Sequence, residues 1–205
     1  MDIDTLQTQE ARLVFARFDE STALALGLAL VKQAEAGALP VVIDIRTADR
    51  PLFYAALPGS APLNALWARR KSATCLMFQA ASLLVGMRLR AKGDSLDKHG
   101  LASADYASSG GSFPLRVKGA GVVGAVTVSG LTEVEDHALV VAGLESLFRA
   151  LPFSRISTGR NWRRSCSLRS CADHSCRSFR RPCAGPALRG LRPWGRISGP
   201  CRSRR

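Results

Sequence analysis

The chain has 205 residues, enough for one ordinary domain and a tail, with a formal net charge of +13 and a pI near 10.5. Such a charge would favour nucleic acid or an anionic surface as partner, but the 14 arginines and single acid of residues 155–205 account for all of it. Residues 1–154 are neutral, which removes any electrostatic argument for nucleic-acid binding by that part of the chain.

The first predicted elements are a helix and a hairpin. The run "DESTALALGLALVKQAEAG" has amphipathic helical spacing, with Asp19 as N-cap and Gly37 at its end. "PVVIDIRT" and "PLFYAAL" are β-branched or aromatic runs joined by "ADR". They predict a hairpin whose second strand opens at Pro51, because strands favour such residues and proline is tolerated at a strand's first position.

A long helical region and a polar loop follow. "NALWARRKSATCLMFQAASLLVGMRLRAKG" predicts one bent helix or two consecutive helices, weakest at Gly86 and ending near Gly93. Cys75 lies in its apolar run, so we expect a buried, inert thiol. The next stretch, "DSLDKHGLASADYASSGG", is polar and predicts a short helix and a loop, with His99 exposed near the end of that helix.

A second hairpin is predicted in "SFPLRVKGAGVVGAVTVSG". Its strands span 113–117 and 122–129, and its turn lies at 118–121. Gly124, inside the second strand, indicates a bulge or a close backbone approach. Hairpins separated by helices favour an α+β fold with an antiparallel sheet flanked by helices.

The last helix opens on a candidate chemical cluster. Thr132 and Glu135 have the spacing of a capping box, in which each residue bonds the other's backbone N–H. Glu135, Asp136 and His137 could bind a metal or act as an acid–base pair. The alternative is structural, since acids in a first turn stabilise the helix dipole and adjacent helical residues point in different directions.

A basic cluster follows Trp67 in the long helical region. Arg69, Arg70 and Lys71 could hold propionates or phosphates, because arginine forms bidentate pairs with such groups. The alternative is that some of these charges are solvated and that Trp67 packs in a core or a subunit interface. The sequence leaves both interpretations open.

Two glycine-rich stretches complete the candidate ligand-binding residues. "SSGGSFP", which contains Gly111 and Phe113, and "KGAGVVG" could offer backbone N–H groups to an anion. Neither has a Walker or Rossmann pattern, so turns are the favoured interpretation. We keep Gly111 and Phe113 as candidates beside the basic cluster and the 135–137 group, and we assign no residue to catalysis or to a metal.

The stretches "RRKSATCLMFQAASLLVGMRLRAKG" and "GGSFPLRVKGAGVVGAVTVSGLTEVEDHALVVAGL" resemble the haem-degrading domain family, in a branch related to the GlcG-like and HbpS-like proteins. The resemblance covers about residues 5–150, including "RFD", "VVIDIR" and "ALPGSAPLNALWARRKS". It implies a profilin-like α+β fold in dimers or larger homo-oligomers, with haem as a candidate cofactor. Where the family is expected to read roughly "RFHRSS" this chain reads "MFQAAS", and Gln79 is a poor replacement for an imidazole ligand.

Residues 151–205 form an arginine- and cysteine-rich tail that includes "NWRRSCSLRSCADHSCRSFRRPCAG". The spacing C-x4-C-x4-C-x6-C around His174 does not match that of structural zinc sites. A disordered basic arm would bind polyanions without specificity. The abrupt loss of periodicity and the absence of lysine indicate out-of-frame translation after the domain ends. We therefore predict a domain over 1–150 and a non-native, disordered tail over 151–205.

The leading functional hypothesis is a small, cytoplasmic homo-oligomer that binds haem or another small anionic ligand with weak or no catalysis. The alternative is a non-catalytic oligomeric scaffold without a cofactor, and a third is nucleic-acid binding through the tail alone. The cytoplasmic location is expected because the acidic N-terminus lacks the apolar segment of a secretory signal. No membrane association is expected, because the apolar runs are short.

Overall fold

A computed structural model describes residues 1–150. Within them it contains five α-helices, five β-strands and one 3-10 helix. In chain order they are α1 (Ile3–Arg12), β1 (Val14–Phe15), α2 (Glu20–Ala36), β2 (Val42–Arg46), β3 (Pro51–Ala56), α3 (Pro62–Phe78), α4 (Ser82–Ala91), the 3-10 helix (Leu96–His99), β4 (Ser112–Val117), β5 (Gly121–Ser129) and α5 (Glu133–Ala150).

The strands form one sheet in the order β1-β4-β5-β2-β3. Both predicted hairpins are present, and β2 pairs antiparallel with β5, which places Ile43 opposite Val128. This confirms the α+β, profilin-like fold. The sheet is antiparallel except at one edge, where β1 pairs in parallel with β4, Val14 opposite Arg116. β1 has only two residues, too few to show an alternating pattern in the sequence.

One face of the sheet carries the main apolar core. Helices α2 and α5 pack on this face and against each other. Asp19 caps α2, accepting a hydrogen bond from the Thr22 N–H at 2.9 Å, and Gly37 is its C-cap, as predicted. The buried side chains shared by these layers are Leu26, Leu30, Ile43, Ile45, Phe113, Leu115, Val126, Val128, Val140 and Leu144. Each contributes roughly 1.5–3 kcal/mol by leaving water, so this face anchors the fold.

The opposite face of the sheet is polar, and α3 packs over it. The strand register aligns Ser112, Thr127 and Asp44 across three strands. The hydroxyls of Ser112 and Thr127 are 2.8 Å apart, and Asp44 accepts a hydrogen bond from Arg46 Nε at 2.7 Å. Because this layer already holds bonded polar groups, it can accommodate the buried polar side chains of α3, including Lys71.

The break between α3 and α4 differs from the prediction. The two helices are bent by 73° between Phe78 and Ser82. The expectation of a weak point at Gly86 is wrong, since that residue lies inside α4. A Cβ at Gly86 would lie 2.1 Å from the Ser108 carbonyl oxygen, so the glycine allows the loop before β4 to approach the helix.

Long-range contacts fix this break. Gln79 takes a left-handed conformation with φ of 51°, and its carbonyl oxygen accepts a hydrogen bond from Arg116. The buried carboxylate of Glu10 accepts a hydrogen bond from the Ala81 N–H at 2.6 Å and pairs with Arg116 at 3.3 Å. Glu10 belongs to α1, a helix that we did not predict.

Two smaller predictions are confirmed. The pairing of β4 with β5 shifts register after Leu115, and a Cβ at Gly124 would lie 2.6 Å from the Arg46 carbonyl oxygen. Gly124 therefore marks both a bulge and a close backbone approach. The capping box also forms, since the Thr132 N–H donates to Glu135 Oε2 at 3.1 Å and the Glu135 N–H donates to the Thr132 hydroxyl.

The polar stretch before β4 forms the 3-10 helix and a loop, with His99 exposed at the helix end. Cys75 is fully buried, and burial raises its pKa to about 12, as expected of an inert thiol. In the part of the chain that the structure describes, no single helix is long and apolar enough to cross a membrane. The predictions for the tail, 151–205, lie outside the described residues.

Candidate functional site

A buried ion pair joins the middle of α3 to the first turn of α5. Lys71 Nζ lies 2.6 Å from Asp136 Oδ2, and the two side chains are 5% and 1% exposed. The same ammonium donates to the Val128 carbonyl oxygen at 3.3 Å. The polar face of the sheet therefore holds a fixed positive charge and its counterion directly beneath the β5–α5 loop.

The loops around this pair contact it closely. Asp136 Oδ1 accepts a hydrogen bond from the Leu131 N–H at 3.0 Å, which ties the β5–α5 loop to the carboxylate. Gly111 has φ of +117°, and a Cβ there would lie 2.8 Å from the Asp136 Cβ and 3.0 Å from Lys71 Nζ. Burial raises the pKa of Asp136, and the Lys71 ammonium opposes that rise.

An open cleft of about 270 Å³ lies over this pair. We call it the Lys71 cleft. Trp67 and Leu63 give it an apolar wall, and Asn64 and Ser109 add polar groups at its rim. Its remaining lining residues are Lys71, Ser129, Gly130, Leu131, Glu133 and Asp136. Six of the ten lining residues are polar or charged, so the cleft combines one apolar wall with a polar floor and rim.

A second cleft, of about 310 Å³, adjoins the first and shares Trp67 and Ser109 with it. We call it the Arg70 cleft. The Arg70 guanidinium carbon lies 4.4 Å from the centre of the Trp67 ring, a cation–π contact. Tyr106 and Arg90 also line this cleft, which is bounded by α3, α4 and the loop before β4.

The structure brings five of the predicted site residues together. Trp67, Lys71 and Asp136 line the Lys71 cleft, and Arg70 lines the adjoining one. Gly111 lies under the ion pair. The remaining member of the basic cluster, Arg69, is half exposed and pairs with Asp105 at 3.4 Å, so this charge lies at the surface.

The other predicted residues lie elsewhere. Glu135 is exposed and caps α5, and its hydrogen bonds with Thr132 lower its pKa. His137 is fully buried, 2.9 Å from Gln9 through Nε2 and 5.9 Å from the Phe113 ring between ring centres. Burial lowers the pKa of His137 to about 4. Glu135, Asp136 and His137 thus point to three different environments, as adjacent helical residues do.

Known proteins identify the family of this chain. The family model described as haem degrading protein HbpS-like matches residues 18–145. A UPF0303 protein of Streptomyces coelicolor is 54% identical over 141 residues, which cover 68% of this chain and 89% of that relative. The chain belongs to the HbpS-like haem-degrading family. This HbpS-like protein is also 50% identical to a UPF0303 protein of Burkholderia thailandensis, over 70% of this chain and 88% of the relative.

Solved structures share the fold of this HbpS-like protein. The crystal structure of the Ybr137w protein is similar with a TM-score of 0.66 and 28% identity, over 73% of this chain and 89% of that one. HbpS itself gives a TM-score of 0.54 at 22% identity, over 64% and 90%. A PduOC:heme complex gives 0.54 at 20% identity, over 65% and 95%. At these last two identities the likeness shows the fold alone.

The two clefts of this HbpS-like protein do not offer a strong haem-iron ligand set. Haem iron is commonly held by histidine, cysteine, methionine or tyrosine. The lining of the Lys71 cleft contains none of these, and that of the Arg70 cleft contains Tyr106 alone. Gln79 lies exposed at the helix break, and His99 lies at the surface, 3.8 Å from Asp94. Among the residues that line the two clefts, Tyr106 is therefore the one common type of haem-iron ligand.

Several residues that line the clefts are not among the predicted site residues. Asn64, Ser109 and Leu131 line the Lys71 cleft but lie in regions that the sequence marks only as a helix start or a loop. Of these residues, only Asn64 has a local role that its place near a helix start could indicate. Its Oδ1 accepts a hydrogen bond from the Ala61 N–H at 2.6 Å. Within residues 1–150, no three His, Cys, Asp or Glu side chains gather as a metal site would require.

Proposed function

We propose that this protein binds a small organic anion in the Lys71 cleft. The observation that carries the proposal is the buried Lys71–Asp136 pair at the floor of an open cleft. A buried ion pair adds little stability, because the cost of removing both charges from water offsets their attraction. Ionisable groups perturbed by burial and by a specific charged partner are concentrated at functional sites.

The proposed ligand would lie between Trp67 and the ion pair. An ammonium has three N–H donors, and Lys71 uses two of them for Asp136 and the Val128 carbonyl. The third can donate to a ligand oxygen. The ring of Trp67 and the side chain of Leu63 would cover an apolar or flat portion of the ligand.

The side chains favour binding over chemistry. Both carboxylate oxygens of Asp136 are already engaged, one by Lys71 and one by the Leu131 N–H. The thiol of Cys75, with its raised pKa, does not supply a thiolate near neutral pH. Haem is the ligand that the family description suggests. In these clefts its propionates would find cations, whereas its iron would depend on Tyr106.

Anilinonaphthalene sulfonate, a flat aromatic anion that fluoresces in apolar surroundings, tests the proposal on the full chain. We expect saturable binding that weakens about tenfold or more in Trp67→Ala, because an aromatic wall is lost. Leu28→Ser is the matched control, since Leu28 is a 55% exposed apolar residue on α2. Equal binding by all three proteins would overturn the proposed site.

A specific observation also supports self-association, the basis of the scaffold alternative. Leu63 and Leu66 are 58% and 43% exposed, and their i, i+3 spacing puts them on one side of α3. Grouped exposed apolar residues mark protein–protein interfaces. We infer that copies of this chain meet along this side, beside the Lys71 cleft that Leu63 also lines.

Light scattering coupled to gel filtration measures this association. We expect Leu66→Glu to lower the particle mass, because a charge would be buried at the contact, and Leu28→Glu on α2 to leave it unchanged. An unchanged mass for Leu66→Glu, or a monomeric wild type, would contradict assembly through α3.

A further inference from the structure

We propose that the Arg70 cleft is an oxyanion site, which takes a carboxylate or a phosphate group on the Arg70 guanidinium. It adjoins the Lys71 cleft but does not depend on the function proposed for that cleft. Three sets of observations support it: the unpaired state of Arg70, its rigid support, and the hydroxyl groups around it.

Arg70 is unpaired among residues 1–150. No carboxylate there lies within ion-pair distance of its guanidinium, and its buried Nε has no hydrogen-bond acceptor. Its neighbours differ, since Arg69 pairs with Asp105 and Arg90 pairs with Glu133 at 3.3 Å. A buried donor without an acceptor is costly, and an oxyanion supplies both the missing acceptor and the missing charge.

The guanidinium is held in place before any ligand arrives. Trp67 supports its face at 4.4 Å. The Ala107 N–H donates to the Arg70 carbonyl oxygen at 3.2 Å and to the Thr74 hydroxyl at 2.9 Å, which fastens the cleft-lining loop to this turn of α3. A planar guanidinium that is already held in place loses little conformational entropy on binding. It can therefore bond two oxygens of one anionic group at low entropic cost.

The rest of the cleft can bind further oxygens. Its hydroxyl-bearing lining residues are Ser95, Ser103, Tyr106, Ser108 and Ser109. Two carboxylates also line it, but Asp94 is paired with Lys98 at 3.2 Å and Asp97 is exposed. Hydroxyls donate to anion oxygens that the arginine does not reach. The lining therefore suits a carboxylate or a phosphate group.

Trp67 lines both clefts, so its emission reports anion binding at either, and variants of Arg70 assign the response to this site. The chain has three tryptophans, and replacing Trp162 and Trp194 by phenylalanine leaves Trp67 as the sole emitter. Its emission is then followed while sodium phosphate, or separately sodium acetate, replaces sodium chloride at constant ionic strength in the full chain. We expect a saturable change with at least one of the two anions, and the active anion distinguishes a phosphate from a carboxylate site.

Variants of neighbouring arginines make the test specific. In the same background we expect Arg70→Gln to abolish the saturable change and Arg70→Lys to weaken binding about tenfold or more, because lysine cannot donate in a fork. Arg69→Gln, the matched control with an exposed and already paired guanidinium, should stay within about twofold. Anion-induced thermal stabilisation should follow the same order, which gives a readout independent of fluorescence.

Two results would show that the Arg70 cleft is not an oxyanion site. No saturable change with either anion, or equal weakening by Arg69→Gln and Arg70→Gln, would overturn the site. The double variant Lys71→Met/Asp136→Asn should keep its response to phosphate or acetate. Failure of the function proposed for the Lys71 cleft is thus distinguishable from failure of this site.

Discussion

Lys71 and Asp136 lie buried together, and removing one should cost much more than removing both. Lys71→Met would leave a buried carboxylate without its cation, and we expect it to lower the free energy of unfolding by about 3–5 kcal/mol. Lys71→Met/Asp136→Asn removes both charges and keeps an acceptor for the Leu131 N–H, so we expect a loss within about 1 kcal/mol of wild type. Urea unfolding measures both values. If the double variant were as unstable as the single variant, the ion pair would be needed for the stability of the fold.

His137 should make stability depend on pH. Its pKa is about 4 in the folded protein, below the ordinary 6.5, so the unfolded chain binds the proton more readily between these values. The stabilisation from neutral His137 is therefore complete above pH 6.5 and is lost as the pH falls towards 4. The loss amounts to about 3 kcal/mol by linkage, an order-of-magnitude figure.

Urea unfolding at about pH 7.5 and about pH 5 tests this, with His137→Gln as a variant that does not titrate there. The other titrating groups are common to both proteins, so the difference between the two pH dependences isolates His137. Identical pH dependence in wild type and variant would contradict the burial of a neutral imidazole.

At the residue scale, the sequence identified which side chains could act but not how they pair. Lys71 and Asp136 were both candidates, yet their contact depends on how α3 and α5 are placed on the sheet, which local patterns do not show. The same holds for the buried environment of His137. By contrast, the capping role of Glu135 is local, and its spacing from Thr132 predicted it correctly.

At the scale of elements, the stability change caused by Gly86→Ala distinguishes helix propensity from packing, because the two predict opposite signs. Alanine is favoured over glycine in helices by about 1 kcal/mol, so propensity alone predicts that Gly86→Ala stabilises α4. A Cβ there would meet the Ser108 carbonyl oxygen at 2.1 Å. We therefore expect a loss of about 2 kcal/mol or more, from strain or displacement of the loop.

Thermal or urea unfolding measures this effect. Arg88→Ala, at an exposed position of the same helix, is the control and should change stability by no more than about 0.5 kcal/mol. Stabilisation by Gly86→Ala would show that the loop does not pack against α4 as described.

The elements that local signals specify were predicted, and those that distant contacts specify were missed. Helix α2 has its cap and terminal glycine, and both hairpins have clear strand runs. The break between α3 and α4 has neither glycine nor proline at 79–81. It depends instead on Glu10 and Arg116, which lie far away in the chain.

For the whole molecule, a haemin titration followed by absorbance distinguishes organic-anion binding from iron ligation. The two clefts contain no histidine, cysteine or methionine among their lining residues. We therefore expect no shift to the Soret spectrum of a histidine-ligated haem. The chain has three histidines, so His99→Ala/His174→Ala is the control, because it leaves only the buried His137. A histidine-type spectrum that disappears in this variant would place haem outside the two clefts.

The Lys71–Asp136 pair, in the function proposed above, serves ligand binding in the Lys71 cleft. The most direct measurement is the dissociation constant of anilinonaphthalene sulfonate for wild type and for Lys71→Met/Asp136→Asn, with the free energy of unfolding taken on the same samples. The proposal predicts binding weaker by about tenfold or more, as for a lost charge-assisted hydrogen bond, in a double variant that remains as stable as wild type. Unchanged binding, or a loss of stability that parallels the loss of binding, would contradict it.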